Sequence, residues 1–152
     1  MIVKEVMKSA VAICPPDSDL ADAVVAMREH DCGFLPVVNS GGVTVGVVTD
    51  RDVCLAAGAC ARPLARISVK ETMSHPVFSC FPDENLKVVL GTMAKHRVRR
   101  LPVLDRSGHL EGVVSLDDIV LAPHRRGAPS PEDVVMALKA ICAPRTVEAV
   151  PA

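Results

Sequence analysis

Residues 46–52 read GVVTDRD, and residues 112–118 read GVVSLDD. In each, a β-branched run ends in a hydroxyl residue, Thr49 or Ser115, and an aspartate follows three positions on, Asp52 or Asp118. This is the pattern of a buried strand feeding a helix whose first turn is closed by a variant of the capping box. A second apolar run precedes each, LPVV at 35–38 and LPVL at 101–104, and Asn39–Gly42 and Asp105–Gly108 join the runs. Glycine supplies the positive φ that a hairpin turn often needs. Two hairpins are therefore predicted, Leu35–Val38 with Val43–Val48 and Leu101–Leu104 with Leu110–Val114. Short helices should follow from about Asp50 and about Leu116.

The two hairpins are parts of a longer duplication. A shift of 66 positions lays residues 3–53 on 69–119 without a gap, and more than a third of the paired residues are identical. Unrelated stretches of average composition match far less often, so this is an internal repeat. The lead-ins VKEVM (3–7) and VKETM (69–73) belong to it and read as short helical turns at 2–7 and 69–73. Leu20, Ala23, Val24 and Met27, then Leu86, Val89, Leu90 and Met93, fall at helical spacing and predict a one-faced helix in each copy. Asp17 or Ser18, and Asp83, are candidate caps. Short strands are expected at Val11–Ile13 and Val77–Ser79, ended by Pro16 and Pro82.

The expected fold class is α/β (α+β), with two tandem strand–helix–strand–strand–helix units. They divide the chain into a first repeat (1–57), a joining segment (58–68), a second repeat (69–121) and a tail (122–152). In the tail, Ser130 followed by Pro131, Glu132 and Asp133 starts a helix over 131–142, with Val134, Leu138 and Ile141 as its apolar stripe. Each repeat of about 60 residues is marginal for burying a core alone, so the halves should pack on each other.

Composition narrows the function. Apolar residues make up 49% of the chain while Trp and Tyr are absent, so the core is built from aliphatic side chains and Met. A net charge of −1 points to neither nucleic acid nor an anionic membrane. No apolar run reaches the length of a membrane span and no signal-peptide core opens the sequence, so a cytoplasmic protein is expected. The six cysteines then read as reduced thiols rather than a disulfide framework. They form no C-x-x-C pair or tight Cys/His cluster, and no metal site is expected.

The strand-to-helix junction has two uses. A hydroxyl and an acid three residues apart close a helix end, and capping alone explains such a pair in most proteins. The same junction offers unpaired N–H groups and a positive dipole end to a phosphate, while an ionised aspartate accepts from the hydroxyls of a ribose. Phosphate and ribose together describe a nucleotide, and the junction occurs in both repeats.

On LPVV…GVVTDRD, RLPVLD…GVVSLDD and the VKE-x-M lead-ins, residues 1 to about 121 resemble the cystathionine-β-synthase (CBS) domain pair, or Bateman module. The resemblance implies two repeats packed sheet to sheet about a pseudo-two-fold axis, with two related clefts for adenosine-containing ligands such as AMP, ADP, ATP, NAD or S-adenosylmethionine. It implies a regulatory ligand rather than a required cofactor, and a stand-alone sensor rather than an enzyme. Carried over by position, Asp52 and Asp118 would hold ribose, and Thr49 and Ser115 would lie near phosphate. Cys32, Gly33 and Val47 would line the base pocket of the first site, and Val98, Arg99 and Val113 that of the second. Arg100, just before LPV, would reach the phosphate at Asp52, while Phe34 would face the Asp118 site. The Asp52 cleft is then the stronger phosphate site. The resemblance also implies a homodimer, with an unidentified protein target downstream.

Other readings compete with this one. His30 and His96 sit near helix ends, where an imidazole suits the dipole. Arg97, Arg99, Arg100, Arg125 and Arg126 offer an RNA- or DNA-binding edge, against which the charge balance and the scarcity of aromatics argue. A ligand-free interaction scaffold is the principal alternative. An enzyme is least expected, because no base–nucleophile pair or phosphate-transfer loop is present.

Overall fold

A computed structural model of the chain describes residues 1–123 and 127–144, so the arginines at 125 and 126 lie outside the described residues. The elements run α1 (Leu20–Glu29), β1 (Phe34–Val38), β2 (Thr44–Thr49), α2 (Asp50–Ala59), α3 (Val69–Thr72), α4 (Leu86–His96), β3 (Arg100–Leu104), β4 (Leu110–Ser115), α5 (Leu116–Val120) and α6 (Pro131–Cys142). Short 3-10 turns occupy Val3–Glu5 and Leu64–Arg66. The architecture is α+β, with one antiparallel hairpin per repeat, in matching register. Phe34 faces Thr49 and Arg100 faces Ser115, and both hairpins shift register one residue before the first strand ends.

The strand expected ahead of each first helix is reduced to one residue. Cys14 N–H donates to the Pro36 carbonyl and the Cys14 carbonyl accepts from Val38 N–H, and Cys80 does the same with Pro102 and Leu104. A parallel ladder would next need N–H groups at residues 16 and 36, or 82 and 102, and all four are proline. The ladder therefore stops in both directions. The caps also differ from expectation: Asp19 Oδ1 accepts from Asp22 N–H and Asn85 Oδ1 from Lys87 N–H, so the helices begin at Leu20 and Leu86. Of the expected stripe residues, Val24 is exposed, while Leu20, Ala23 and Met27 and all four of the second repeat are buried.

The lead-ins cross over. Val3 is fully buried in the core of the second repeat, with Leu86, Val89, Met93, Leu101 and Val114. Ile67 and Val69 are buried in the core of the first, with Leu20, Leu35, Val37 and Val48. Isolated backbone bridges record the exchange. Ile2 pairs with Asn85 and Lys8 with Val113, and the shift of 66 residues converts these into Ser68 with Asp19 and Ser74 with Val47. The bridge between Val43 and His109 maps onto itself under the same shift, so it lies on the pseudo-two-fold axis. Each core thus needs a segment of the other repeat, which addresses the small size of each half. Two glycines make room for the crossing. A Cβ on Gly112 would collide with the Lys8 carbonyl, and one on Gly46 with the Met73 side chain.

The tail helix α6 lies on α4. Ala137 is buried there, Val134 and Ile141 pack on the second core, and Lys87 Nζ reaches Asp133 Oδ2 at 2.9 Å. Leu138, expected in the stripe, is exposed with Val135 and Met136.

Candidate functional site

Both capping boxes form. Thr49 Oγ1 donates to Asp52 Oδ2 at 2.7 Å, Thr49 N–H donates to the same oxygen at 2.9 Å, and Asp52 N–H donates back to Thr49 Oγ1 at 3.2 Å. Ser115 and Asp118 repeat the arrangement, with N–H to Oδ2 at 2.8 Å. In each aspartate one oxygen closes the helix, which leaves Oδ1 for another partner. Capping therefore uses one oxygen of each carboxylate.

Each aspartate borders a cleft between the repeats. The first cleft, about 390 Å³, is bounded on one side by Gly33, Val47, Thr49, Asp50, Arg51 and Asp52, and on the other by Ser74, His75, Phe78, His96, Val98 and Arg99. The second, about 290 Å³, brings Lys8, His30, Asp31 and Cys32 to Val113, Ser115, Asp117 and Asp118. Phe34 and Arg100 border both. Two positional expectations change here. Cys32 lines the Asp118 cleft rather than the Asp52 cleft, and Val98 and Arg99 line the Asp52 cleft rather than the Asp118 cleft. The reason is topological: the segment between helix and hairpin in each repeat reaches toward the axis and forms a wall of its neighbour's cleft. Gly33 stays in the first cleft because its carbonyl accepts from Asp50 N–H at 3.3 Å.

The clefts differ in charge. Arg51, Arg97, Arg99 and Arg100 face two aspartates, Asp50 and Asp52, around the first. Around the second, Lys8 and Arg100 face Asp31, Asp117 and Asp118. Lys8 Nζ also lies 3.6 Å from Asp118 Oδ1, the oxygen that capping leaves over. The residue related to Lys8 by the repeat is Ser74, so the Oδ1 of Asp52 has no such cation. Among the described residues it makes no hydrogen bond or ion pair.

Several cleft groups escaped the sequence reading. His96 is not only a helix-end residue, since its ring stacks on Phe78 with centroids 3.7 Å apart and planes 18° apart. Arg97 takes a left-handed conformation, φ 53°, at the end of α4, and this turns the chain into the cleft wall. Lys8 could have been flagged by comparing it with Ser74, but only the crossed lead-in places it beside Asp118. Burial pushes the Cys14 thiol up to about 11 and, with Glu84 adding to it, the Cys80 thiol up to about 12, so both are unreactive core groups. No group of three or more His, Cys, Asp or Glu able to hold a metal occurs among the described residues, and none of their helices is long and apolar enough to cross a membrane.

A duplicated α+β unit, two crossed lead-ins and two related clefts with an aspartate in each define a tandem-repeat binding module. The sequence profile of the CBS domain matches residues 3–58 and again 69–125. The chain belongs to the CBS domain family. It is 36% identical over 119 residues to the CBS domain-containing protein YhcV of Bacillus subtilis, covering 78% of this chain and 83% of that one. The CBS domain pair of protein MJ0100, solved with 5′-methylthioadenosine and S-adenosyl-L-methionine, superposes with a TM-score of 0.72 at 23% identity, over 79% of this chain and 93% of that one. Hypoxic Response Protein I, solved with two coordinated zinc ions, superposes with a TM-score of 0.74 at 27% identity, over 81% of this chain and 100% of that one.

Proposed function

We propose that this chain is a regulatory module that binds an adenosine-containing ligand, with the Asp52 cleft as its phosphate-bearing site. The observation that carries this reading is the contrast between the two aspartates: among the described residues Asp52 Oδ1 has no partner, in a cleft with an excess of arginines, whereas Lys8 lies beside the Oδ1 of Asp118. A ribose needs an acceptor of this kind, and its phosphates need the guanidinium groups. The first cleft, about 390 Å³, lies within the range of small-ligand pockets. The CBS domain pair of MJ0100, solved with 5′-methylthioadenosine and S-adenosyl-L-methionine, supports the ligand class. Thr49 and the start of α2 lie at the phosphate end, where the helix dipole favours a negative charge, and Gly33, Val47 and Val98 give the base an apolar wall. The second cleft, with Asp118, Ser115, Val113 and Cys32, takes a less charged ligand of the same class.

Binding in a cleft whose two walls belong to different repeats favours whichever arrangement of the repeats the ligand prefers, and this is the signal. No turnover is part of the proposal. Equilibrium dialysis tests it readily, because a chain without Trp or Tyr leaves the adenine absorbance unobscured. AMP or ATP should be retained saturably, and retention should fall when Arg100 is replaced by alanine.

The module is further proposed to act as a homodimer. Leu55 on α2, Val120 and Leu121 at the end of α5, and Met136 on α6 are large apolar side chains more than half exposed. Deleting residues 124–152 separates the contribution of α6 from that of the repeats; a dimer mass that survives the deletion would place the interface on the repeats.

A further inference from the structure

Phe34 and Arg100 are the same position in the two repeats, 66 residues apart. Each opens the first strand of its hairpin opposite the hydroxyl residue of a capping box, Thr49 or Ser115. Both residues border both clefts. The partition between the clefts therefore carries one guanidinium where the repeat symmetry would allow two. The first cleft has three other arginines. Among the described residues the second has only Lys8 and His30 besides Arg100, and the Lys8 ammonium already lies beside Asp118.

We infer that Arg100 is shared by the two clefts, so that phosphate-bearing ligands bind to them with negative coupling while uncharged nucleosides do not. The inference rests on the proposed nucleotide binding and adds its regulation. A guanidinium is a rigid planar fork that engages one phosphate in a bidentate manner. When a phosphate in the first cleft holds it, the second cleft keeps, among the described residues, only Lys8, which already lies beside Asp118, and His30. Coupling in free energy is reciprocal, so occupation of the second cleft weakens the first by the same factor. An adenosine molecule makes no claim on Arg100, and its two binding events stay independent. A module of this kind responds to a phosphorylated ligand in two stages, over a wider concentration range than two independent sites would give.

Unequal sites alone also give a two-stage curve, so the test must change one cleft and read the other. AMP and adenosine are titrated calorimetrically into the full chain, the wild type against Asp52→Ala and Phe34→Arg. In the wild type a second AMP should bind weakly. In Asp52→Ala the first cleft is disabled and Arg100 is released. The remaining AMP site should then bind roughly tenfold to a hundredfold more tightly than the second AMP of the wild type. In Phe34→Arg a second guanidinium stands at the symmetric place, and the gap between the first and second AMP should narrow by a similar factor. This variant leaves the capping boxes intact, so the test stands if Asp52→Ala does not fold. Adenosine constants should be the same with the other cleft filled or disabled. AMP constants at the second cleft that ignore both substitutions would overturn the sharing of Arg100 and leave nucleotide binding standing. Absence of any AMP or adenosine binding would overturn both.

Discussion

Replacing Asp52 by asparagine separates the two uses of its carboxylate. The side chain keeps its size and one oxygen, so Thr49 N–H retains an acceptor where Oδ2 now stands at 2.9 Å. The charge at the first turn of α2 is lost, which removes about 0.3–1 kcal/mol of helix-dipole interaction. Weakening the box adds a fraction of the 0.5–2 kcal/mol that such caps contribute. The total is about 1 kcal/mol, and for a chain of 152 residues that lowers Tm by about 2–4 °C. Ligand affinity should fall further. The ribose loses hydrogen bonds to a charged acceptor, worth about 1.5–3 kcal/mol, or roughly tenfold to a hundredfold in Kd. The assay is a pair of measurements on one variant, thermal unfolding without ligand and calorimetric titration with AMP. Asp118→Asn is the internal control, since it loses the same cap geometry and an ion pair to a mostly exposed Lys8 worth at most about 1 kcal/mol. It should match the Tm change and leave the tighter binding constant nearly untouched. An Asp52→Asn variant that lost stability but bound AMP as well as the wild type would refute the recognition role and leave capping alone.

Four further outcomes test the architecture. Gly112→Ala sets a methyl group against the Lys8 backbone and should cost about 1–3 kcal/mol, read by denaturant unfolding, because the lead-in must move away. Leu86→Ala empties a fully buried position in the second core and should cost about 2–5 kcal/mol in the same assay. Thr44 is buried beside the axis and its Oγ1 has no hydrogen-bond partner among the described residues; Thr44→Val should therefore raise stability by about 1 kcal/mol, seen as a higher Tm. Lys87, followed by the Ser130 backbone and hydroxyl, holds the Asp133 carboxyl at about 2, below its ordinary 3.8. The ion pair's contribution to docking α6 is therefore complete above about pH 4 and is lost as pH falls toward 2, so the protection of α6 amides relative to their intrinsic exchange rate at each pH should fall across that window, and less so in Asp133→Asn.

Much of this fold was legible because it is written twice. The hairpins, both capping boxes and the start of α6 at Pro131 follow from local chemistry: alternating strand residues, a hydroxyl three residues before an acid, Ser-Pro-Glu-Asp. The short strands did not survive because a parallel ladder depends on donors in two distant segments, and the prolines at 36 and 102 remove donors on the partner side. The crossed lead-ins were beyond local reading. VKEVM and VKETM have the same pattern whichever core they join, and only the packing of Val3 and Val69 decides it. That crossing is also why Lys8 reaches Asp118, while Cys32, Val98 and Arg99 lie in the clefts opposite to those expected because the segment between helix and hairpin reaches across the axis. The capping pairs within one segment, such as Thr49 and Asp52, follow from spacing alone, whereas which cleft Cys32, Val98 and Arg99 border depends on the other repeat.

The central claim is that the Asp52 cleft takes an adenine nucleotide, and calorimetric titration of ligand-stripped protein with AMP, ADP, ATP, NAD and S-adenosylmethionine tests it most directly. Saturable binding of at least one phosphorylated ligand, with the tighter site lost in Asp52→Ala and weakened in Arg100→Ala, is the predicted result. No heat with any of the five, together with a Tm unmoved by millimolar ligand, would contradict it and leave a CBS domain pair that works through protein contacts alone.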